Sequence, residues 1–299
     1  MHSPATPSSA RWLAIALTGV LAVGVGVLAV AAYQHANPDL SDLAAEPAPT
    51  FDLGVETAEP TPEVTQTAEA IARSEERFLA IGDGAWWRAT AGACGTTEPL
   101  LERSTDAGAT WTDVTPRYRT IGQIASLDPL AGTEAEMVSS MGEACETQAL
   151  RTYTQGTYWD SYPDVLPAIR YIDPLDPAVV HIGGGQTTDA PCATPTGLRA
   201  SGDVVALICD GTPHRWIDGS WQPVEVAGAT ALAATPPSLL IAHTDAACPG
   251  LAVTEITDTT AIVGCLPEAD PSTPLALSSA PTGQIFAWSA DGLAEVAAP

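Results

Sequence analysis

Lysine is absent from the sequence, so its positive charge rests on 11 arginines, against 36 aspartates and glutamates. The formal net charge of −25 repels phosphate backbones and anionic lipid headgroups, which argues against nucleic acid as a partner. Solubility in a host with an acidic, lysine-poor proteome explains the same bias, so the charge does not identify a ligand.

Several chemical motifs are missing as well. There is no C-x-x-C pair, and the five histidines are scattered, which argues against a metal centre. No G-x-S-x-G elbow marks a serine hydrolase. Residues 183–185 (Gly-Gly-Gly) precede no helix and therefore indicate a loop between strands, and residues 173–177 fit no calcium-loop spacing. We therefore predict no metal and no cofactor.

Residues 12–33 contain no charged side chain and are bounded by Trp12 and Tyr33. A helix of this length spans roughly 30 Å of hydrocarbon, with both rings at the interfaces. A cleaved signal peptide is the alternative, because residues 29–31 (Ala-Val-Ala) resemble a cleavage site, but its apolar region is usually only about 7–15 residues long. We predict an uncleaved transmembrane signal-anchor helix, and export of the remainder in either case.

The charges that flank this segment predict its orientation. Arg11 precedes it without any acid, whereas the chain after it is acidic and has no base before Arg73. The N-terminus is therefore expected in the cytoplasm and the C-terminal domain outside the cell membrane. We divide the chain into a cytoplasmic tail (1–11), the transmembrane helix (12–33), a disordered, acidic, proline-rich stalk (34–66) and an extracytoplasmic domain (67–299).

All six cysteines follow the apolar segment, which fits disulfides in an oxidising compartment. Six cysteines allow fifteen pairings, but two successive pairs share one spacing, which favours bonding within each pair. The predicted disulfides are Cys94–Cys145, Cys192–Cys209 and Cys248–Cys265.

From about residue 78 to the end, short runs rich in Val, Ile, Thr and Trp alternate with turns that contain Gly, Asp and Pro. This pattern predicts many short strands, as in a β-sandwich or a β-propeller. The clearest strands are expected at residues 168–172, 178–182, 204–209, 239–243, 251–256, 261–265 and 284–289. A short helix is expected only before them, at residues 67–78.

A degenerate repeat favours the propeller. Residues 168–183 consist of an apolar run, a Pro-containing turn and a second apolar run, which predicts a hairpin. Weaker copies start at residues 121, 230 and 275, at loosely blade-sized intervals. We predict an all-β propeller of about five blades, within a range of four to six; an irregular pair of β-sandwiches is the alternative.

One motif carries a family resemblance. Ser104, Asp106, Gly108, Thr110 and Trp111 give the pattern S-x-D-x-G-x-T-W. In a tight turn Asp106 can accept backbone hydrogen bonds, and Gly108 supplies a positive φ. The motif resembles the Asp-box of sialidase-type (BNR-repeat) β-propellers. In that family the box is structural and lies on the outer rim, away from the central site, which implies no catalytic role for Asp106.

Three other segments keep fragments of the pattern. Residues 216–221 keep the Asp, Gly and Trp, residues 288–292 keep Ser-x-Asp-Gly, and residues 154–159 keep a Thr and the Trp. We interpret them as degenerate copies of the same turn, placed late in each repeat.

The resemblance also raises the question of sialidase activity, which needs arginines that converge on a carboxylate and a tyrosine nucleophile with a glutamate partner. The Arg-Ile-Pro segment of true sialidases is absent, and the arginines and tyrosines lie in no recognisable catalytic context. We therefore predict no catalytic residue, with a diverged sialidase-like glycoside hydrolase as the alternative.

The aromatic clusters offer the only candidate binding residues: Trp87, Tyr158 and Trp159. Such rings bind sugars and peptides, but they more often pack inside the fold. The sequence thus predicts a membrane-anchored module that binds an unknown envelope protein or glycan.

Overall fold

The computed structural model describes residues 73–298, which form a ring of six antiparallel sheets. We number these blades in chain order. Blade 1 contains β1 (Arg77–Ile81), β2 (Trp86–Thr90), β3 (Leu100–Ser104) and β4 (Thr112–Asp113). Blade 2 contains β5 (Ile121–Pro129), β6 (Ala135–Met141), β7 (Glu146–Thr152) and β8 (Asp160–Ser161). Blade 3 contains β9 (Arg170–Ile172), β10 (Val179–Gly183) and β11 (Gln186–Asp189).

The second half of the ring repeats this order. Blade 4 contains β12 (Thr196–Ser201), β13 (Val204–Cys209), β14 (Thr212–Ile217) and β15 (Ser220–Pro223). Blade 5 contains β16 (Ala229–Thr235), β17 (Ser238–His243), β18 (Leu251–Ile256) and β19 (Thr260–Leu266). Blade 6 contains β20 (Ala276–Ser279), β21 (Ile285–Ser289) and β22 (Gly292–Glu295). Two 3-10 helices, Arg117–Arg119 and Leu166–Ala168, lie in the connections before blades 2 and 3.

Burial explains which runs become inner strands and which become edges. The second strands of blades 4 and 5 are buried at every position, because the flanking blades cover both faces of their sheets. Most of the outermost strands are short and polar, and β4, for example, is an exposed Thr-Asp pair; β19, with seven residues, is longer. Short polar edges limit pairing with other chains.

The first strand of each blade contacts the first strands of its two neighbours, so these six strands surround a central channel. Every blade is built from consecutive strands, and no sheet combines strands from both ends of the described chain. Side chains alone therefore join blade 6 to blade 1. At this seam the guanidinium of Arg77 lies 4.5 Å from the ring of Trp288, and Trp86 packs edge-on against Phe286 at 4.7 Å.

The propeller prediction is confirmed, but the blade count is six and not five. The first strands begin at residues 77, 121, 170, 196, 229 and 276, so blades 3 and 4 are compressed. Blade 4 falls inside the interval between the repeat copies at residues 168 and 230, which hid it. The helix prediction is wrong in its described part, because residues 73–76 form a turn and β1 follows at once.

The three disulfides join the pairs that the spacing favoured: Cys94–Cys145, Cys192–Cys209 and Cys248–Cys265. The first crosses from the β2–β3 loop of blade 1 to the β6–β7 loop of blade 2. The second ties the connection between blades 3 and 4 to the end of β13, and the third closes within blade 5.

Within residues 73–298 no helix is long and apolar enough to cross a membrane. The predicted transmembrane helix, cytoplasmic tail and stalk lie outside the described residues.

Candidate functional site

The S-x-D-x-G turn joins β3 to β4 and is closed by its own side chains. Ser104 Oγ donates to Asp106 Oδ1 at 2.7 Å and accepts from the Gly108 N–H at 2.9 Å. Asp106 accepts from the Thr110 hydroxyl at 2.6 Å and from its N–H at 2.9 Å. These bonds, the Thr110 hydroxyl first, lower the pKa of Asp106 to about 2. The carboxylate is thus fully used in fastening the turn.

Blade 2 has the same turn at the same place, between β7 and β8, without the acid. Thr152 Oγ1 accepts from the Gly156 N–H at 2.9 Å, as Ser104 does for Gly108. Thr154 Oγ1 accepts from the Tyr158 N–H at 2.8 Å and so takes the position of Asp106. Gly156 has the same φ of 84° as Gly108. In blade 2 a hydroxyl oxygen therefore closes the turn that a carboxylate closes in blade 1.

The other two fragments do not reproduce this turn. In blade 4, Asp218 and Gly219 form a two-residue hairpin between β14 and β15, both with positive φ. In blade 6, Ser289 ends β21 and Asp291 lies in the turn to β22, which is the last turn of this three-stranded blade. The fragment thus lies late in its repeat, but its turn joins the second and third strands.

Two of the three candidate binding aromatics lie in the core. Trp87 and Trp159 are fully buried, and their rings meet edge to face at 5.9 Å between blades 1 and 2. Trp86, the strand neighbour of Trp87, points the opposite way and packs against blade 6. Their burial assigns both Trp87 and Trp159 to packing between blades.

Tyr158, the third candidate, is one of four tyrosines that we call the tyrosine surface: Tyr118, Tyr153 and Tyr158, which are exposed, and Tyr162, which is half-buried. Tyr158 is 66% exposed, Tyr118 57% and Tyr153 50%. The rings of Tyr118 and Tyr158 lie 6.5 Å apart, and those of Tyr153 and Tyr162 lie 5.9 Å apart, both edge to face. The turn between β7 and β8 brings Tyr153 and Tyr158 together, and the connection before blade 2 adds Tyr118.

Arginines border the tyrosine surface. Arg119 pairs with Asp160 at 2.6 Å and lies 6.0 Å from the Tyr118 ring, and Arg151 lies 5.6 Å from the Tyr162 ring. Arg103 reaches from blade 1 to the Gln155 carbonyl at 2.7 Å, which fixes the turn that carries Tyr153 and Tyr158. A domain with few positive charges therefore places several of them beside its exposed aromatic rings.

A long side chain crosses the central channel. Arg199 on β12 of blade 4 reaches the opposite blade, where its guanidinium donates to Glu76 Oε1 at 3.1 Å and to the Arg77 carbonyl. The same guanidinium lies 4.6 Å from the Phe78 ring. Three cavities of about 340, 400 and 410 Å³ have Arg199 in their walls, so this side chain divides the channel.

The cavity of about 340 Å³, which we call the central cavity, holds several charged groups. Asp128, Glu136 and Arg151 lie side by side on adjacent strands of blade 2, and Glu136 pairs with Arg151 at 2.5 Å. Burial raises the pKa of Asp128 to about 6; the Glu136 charge adds to the rise, and Arg199 and Arg170 oppose it. Among the described residues no tyrosine lines this cavity.

The other acidic loop considered from the sequence is satisfied internally. Asp173 accepts from the Leu175 and Asp176 N–H groups and pairs with His181 Nε2 at 3.2 Å. The described part of the chain contains no group of three or more His, Cys, Asp or Glu side chains arranged to hold a metal ion.

No family model and no curated protein matches this chain. Solved structures similar to it include a YCF48 chain bound to a D1 peptide, at 13% identity and a TM-score of 0.29, over 74% of this chain and 62% of that one. A fucose-binding, six-bladed lectin from Aleuria aurantia is similar at 11% identity and a TM-score of 0.39, over 77% and 96%. A Trypanosoma rangeli sialidase is similar at 12% identity and a TM-score of 0.41, over 75% and 53%.

Proposed function

We propose that this propeller is a non-enzymatic, Asp-box-type binding module that recognises a protein or glycan at the cell envelope through the tyrosine surface. One observation carries the proposal: three of the four large apolar side chains exposed in residues 73–298 are the tyrosines 118, 153 and 158, and each of them packs against another tyrosine beside the turn between β7 and β8. Solitary exposed apolar residues are normal on a protein surface, whereas a clustered set marks an interaction site.

The chemistry of the cluster suits recognition. A tyrosine offers a large, rigid ring at low entropic cost and keeps a hydroxyl for hydrogen bonding. Tyrosine and arginine are also the residues enriched in the energetically dominant parts of protein interfaces. Arg119 and Arg151 lie against the rings of Tyr118 and Tyr162, where their pairing with Asp160 and Glu136 leaves donors and acceptors of both signs at the border.

A diverged glycoside hydrolase is supported less well by the channel. Its arginines do not converge on a common point, because Arg151 is paired with Glu136 and Arg199 donates to Glu76 and to backbone carbonyls. Arg170 donates to the Ile182 carbonyl at 3.2 Å. A carboxylate substrate could therefore not gather several guanidinium groups around itself without breaking the Arg151 and Arg199 bonds.

Binding can be tested with the full-length protein in detergent, applied to a glycan array and cross-linked to isolated cell envelopes. We expect the double variant Tyr153→Ser/Tyr158→Ser to lose a specific ligand of the wild-type protein. Ile262→Ser on blade 5 is the matched control, because Ile262 is the fourth exposed apolar residue, at 38%. Equal binding by all three proteins would contradict a role for the tyrosine surface.

Anchoring in the membrane is a separate part of the proposal and rests on residues 12–33 of the sequence. Protease added to intact cells should remove a C-terminal epitope, and the protein should require detergent for extraction. Protection of that epitope, or release into the medium as a shortened chain, would contradict the proposed topology.

A further inference from the structure

The central cavity contains an acid without a partner. Asp128 lies directly opposite Glu136 in the β5–β6 ladder, an arrangement of like charges that destabilises a sheet. Arg151 neutralises Glu136, but within residues 73–298 no group donates a hydrogen bond to the Asp128 carboxylate. A half-buried carboxylate in such an unfavourable setting is typical of a functional site.

An open donor lies in the wall across the cavity. Arg170 on β9 of blade 3 uses its Nε to bind the Ile182 carbonyl, and its two terminal nitrogens make no hydrogen bond in the described part of the chain. Arg199, the other arginine near Asp128, is already engaged by Glu76, Leu198 and Arg77. The cavity therefore presents one free carboxylate and one free pair of guanidinium N–H groups.

Apolar side chains complete the walls: Phe78, Leu127, Val165, Ile169 and Leu198. The volume of about 340 Å³ is near the lower end of the roughly 300–1,000 Å³ that small-molecule sites occupy. The neighbouring cavity of about 400 Å³ shares Asp128, Leu127 and Arg199 with it. A small molecule fits this space, and a folded partner does not.

We propose that the central cavity binds a free α-amino acid with an apolar side chain. Its ammonium group pairs with Asp128, its carboxylate takes the terminal N–H groups of Arg170, and its side chain lies against the apolar wall. Both free charges are satisfied at once by a zwitterion, whereas a simple cation or anion leaves one of them unpaired. None of the four tyrosines lines this site, although Arg151 lies in its wall and also against the Tyr162 ring.

Calorimetric titration of the full-length protein in detergent with L-leucine tests the proposal. L-leucinamide lacks the carboxylate and 4-methylpentanoate lacks the ammonium group, and each should bind at least about tenfold more weakly than leucine. Absence of leucine binding at millimolar concentration, or equal binding of leucinamide, would overturn the assignment. These comparisons use the unmodified protein and do not depend on the folding of a variant.

Two variants assign the contacts. Asp128→Asn and Arg170→Gln should each weaken leucine binding at least about tenfold, whereas Asp258→Asn and Arg215→Gln, outside the cavity, should leave it unchanged. The variant Tyr158→Ser, whose ring packs against Tyr118 and not against the cavity wall, should also bind leucine normally, which separates this site from the proposed function. Unchanged affinity in Asp128→Asn would refute the ammonium contact.

The pH dependence supplies a further readout. The charged groups around Asp128 are Glu136 on β6, Arg151 on β7, Arg170 on β9, Arg199 on β12 and Asp164 in the connection before blade 3. Because the pKa of Asp128 is about 6, its carboxylate is mostly protonated at pH 5, and leucine should bind about tenfold more weakly there than at pH 7. Asp128→Asn should remove this dependence, and a pH profile identical to that of the wild type would contradict the role of Asp128.

Discussion

Replacing Trp87 with alanine tests whether this indole packs or binds. Trp87 is fully buried in the cluster between blades 1 and 2, so its truncation should cost about 3–5 kcal/mol of unfolding free energy. Loss of the edge-to-face contact with Trp159 adds about 1 kcal/mol. Trp87→Phe should cost only about 1–2 kcal/mol, because the buried indole N–H, which has no partner in the described structure, is removed together with its desolvation penalty.

Urea unfolding followed by tryptophan fluorescence and far-UV circular dichroism measures these differences. Trp216→Ala in blade 4 is the control, because removing this half-buried indole should lower the free energy of unfolding by less than about 2 kcal/mol. In a double-mutant cycle, Trp87→Ala and Trp159→Ala should couple by about 1 kcal/mol. A loss below about 1.5 kcal/mol in Trp87→Ala, together with lost ligand binding, would refute the packing assignment.

Three further perturbations probe the turn, a disulfide and the seam. Because the pKa of Asp106 is lowered from 3.8 to about 2, its stabilising effect is complete above pH 4 and is lost towards pH 2. The melting temperature of Asp106→Asn should therefore lie below that of the wild type at neutral pH and approach it near pH 2. A difference in melting temperature that stays constant with pH would contradict this. Removing the Cys94–Cys145 disulfide by a double serine substitution should lower the free energy of unfolding by about 4 kcal/mol, because the bond joins residues 51 positions apart. Urea unfolding measures this loss, and a value below about 1 kcal/mol would contradict a constraining role. Trp288→Ala should lower the free energy of unfolding by about 4 kcal/mol and should raise the rate of hydrogen exchange first in β1 and β20. A uniform rise in exchange across the blades would contradict a weakened seam between blades 6 and 1.

Local patterns predicted the most apolar of the inner strands, because short apolar runs there are bounded by turns that carry Gly, Asp or Pro. The strand Val204–Cys209 is an example in which the predicted and observed bounds agree. The disulfide pairs followed from spacing in the same way. The number of blades could not be predicted in this way, since the blades are unequal in length and no local signal marks the beginning of blade 4.

The candidate sites depend on contacts that spacing does not encode. Alternation along β2 shows that Trp86 and Trp87 point to opposite sides, but not that neighbouring blades cover both. Tyr118 joins Tyr158 only because the chain returns to the same rim after forming blade 2. Asp128 was not predicted because Leu-Asp-Pro is typical of a turn, whereas these residues belong to the nine-residue strand β5. Arg170 was not predicted because it reaches the same cavity from another blade.

The crossing of Arg199 also has a mechanical consequence. The described chain begins at Arg73, whose guanidinium binds the Ile172 carbonyl of blade 3, while Arg199 of blade 4 holds Glu76 and Arg77. Tension applied at this end is therefore shared by blades 1, 3 and 4 before β1 can peel away from β2. The hydrogen bonds of Arg73 and Arg199 bear this tension at the same time. Separating β1 from the propeller should therefore require a larger force than separating the two strands of a single hairpin.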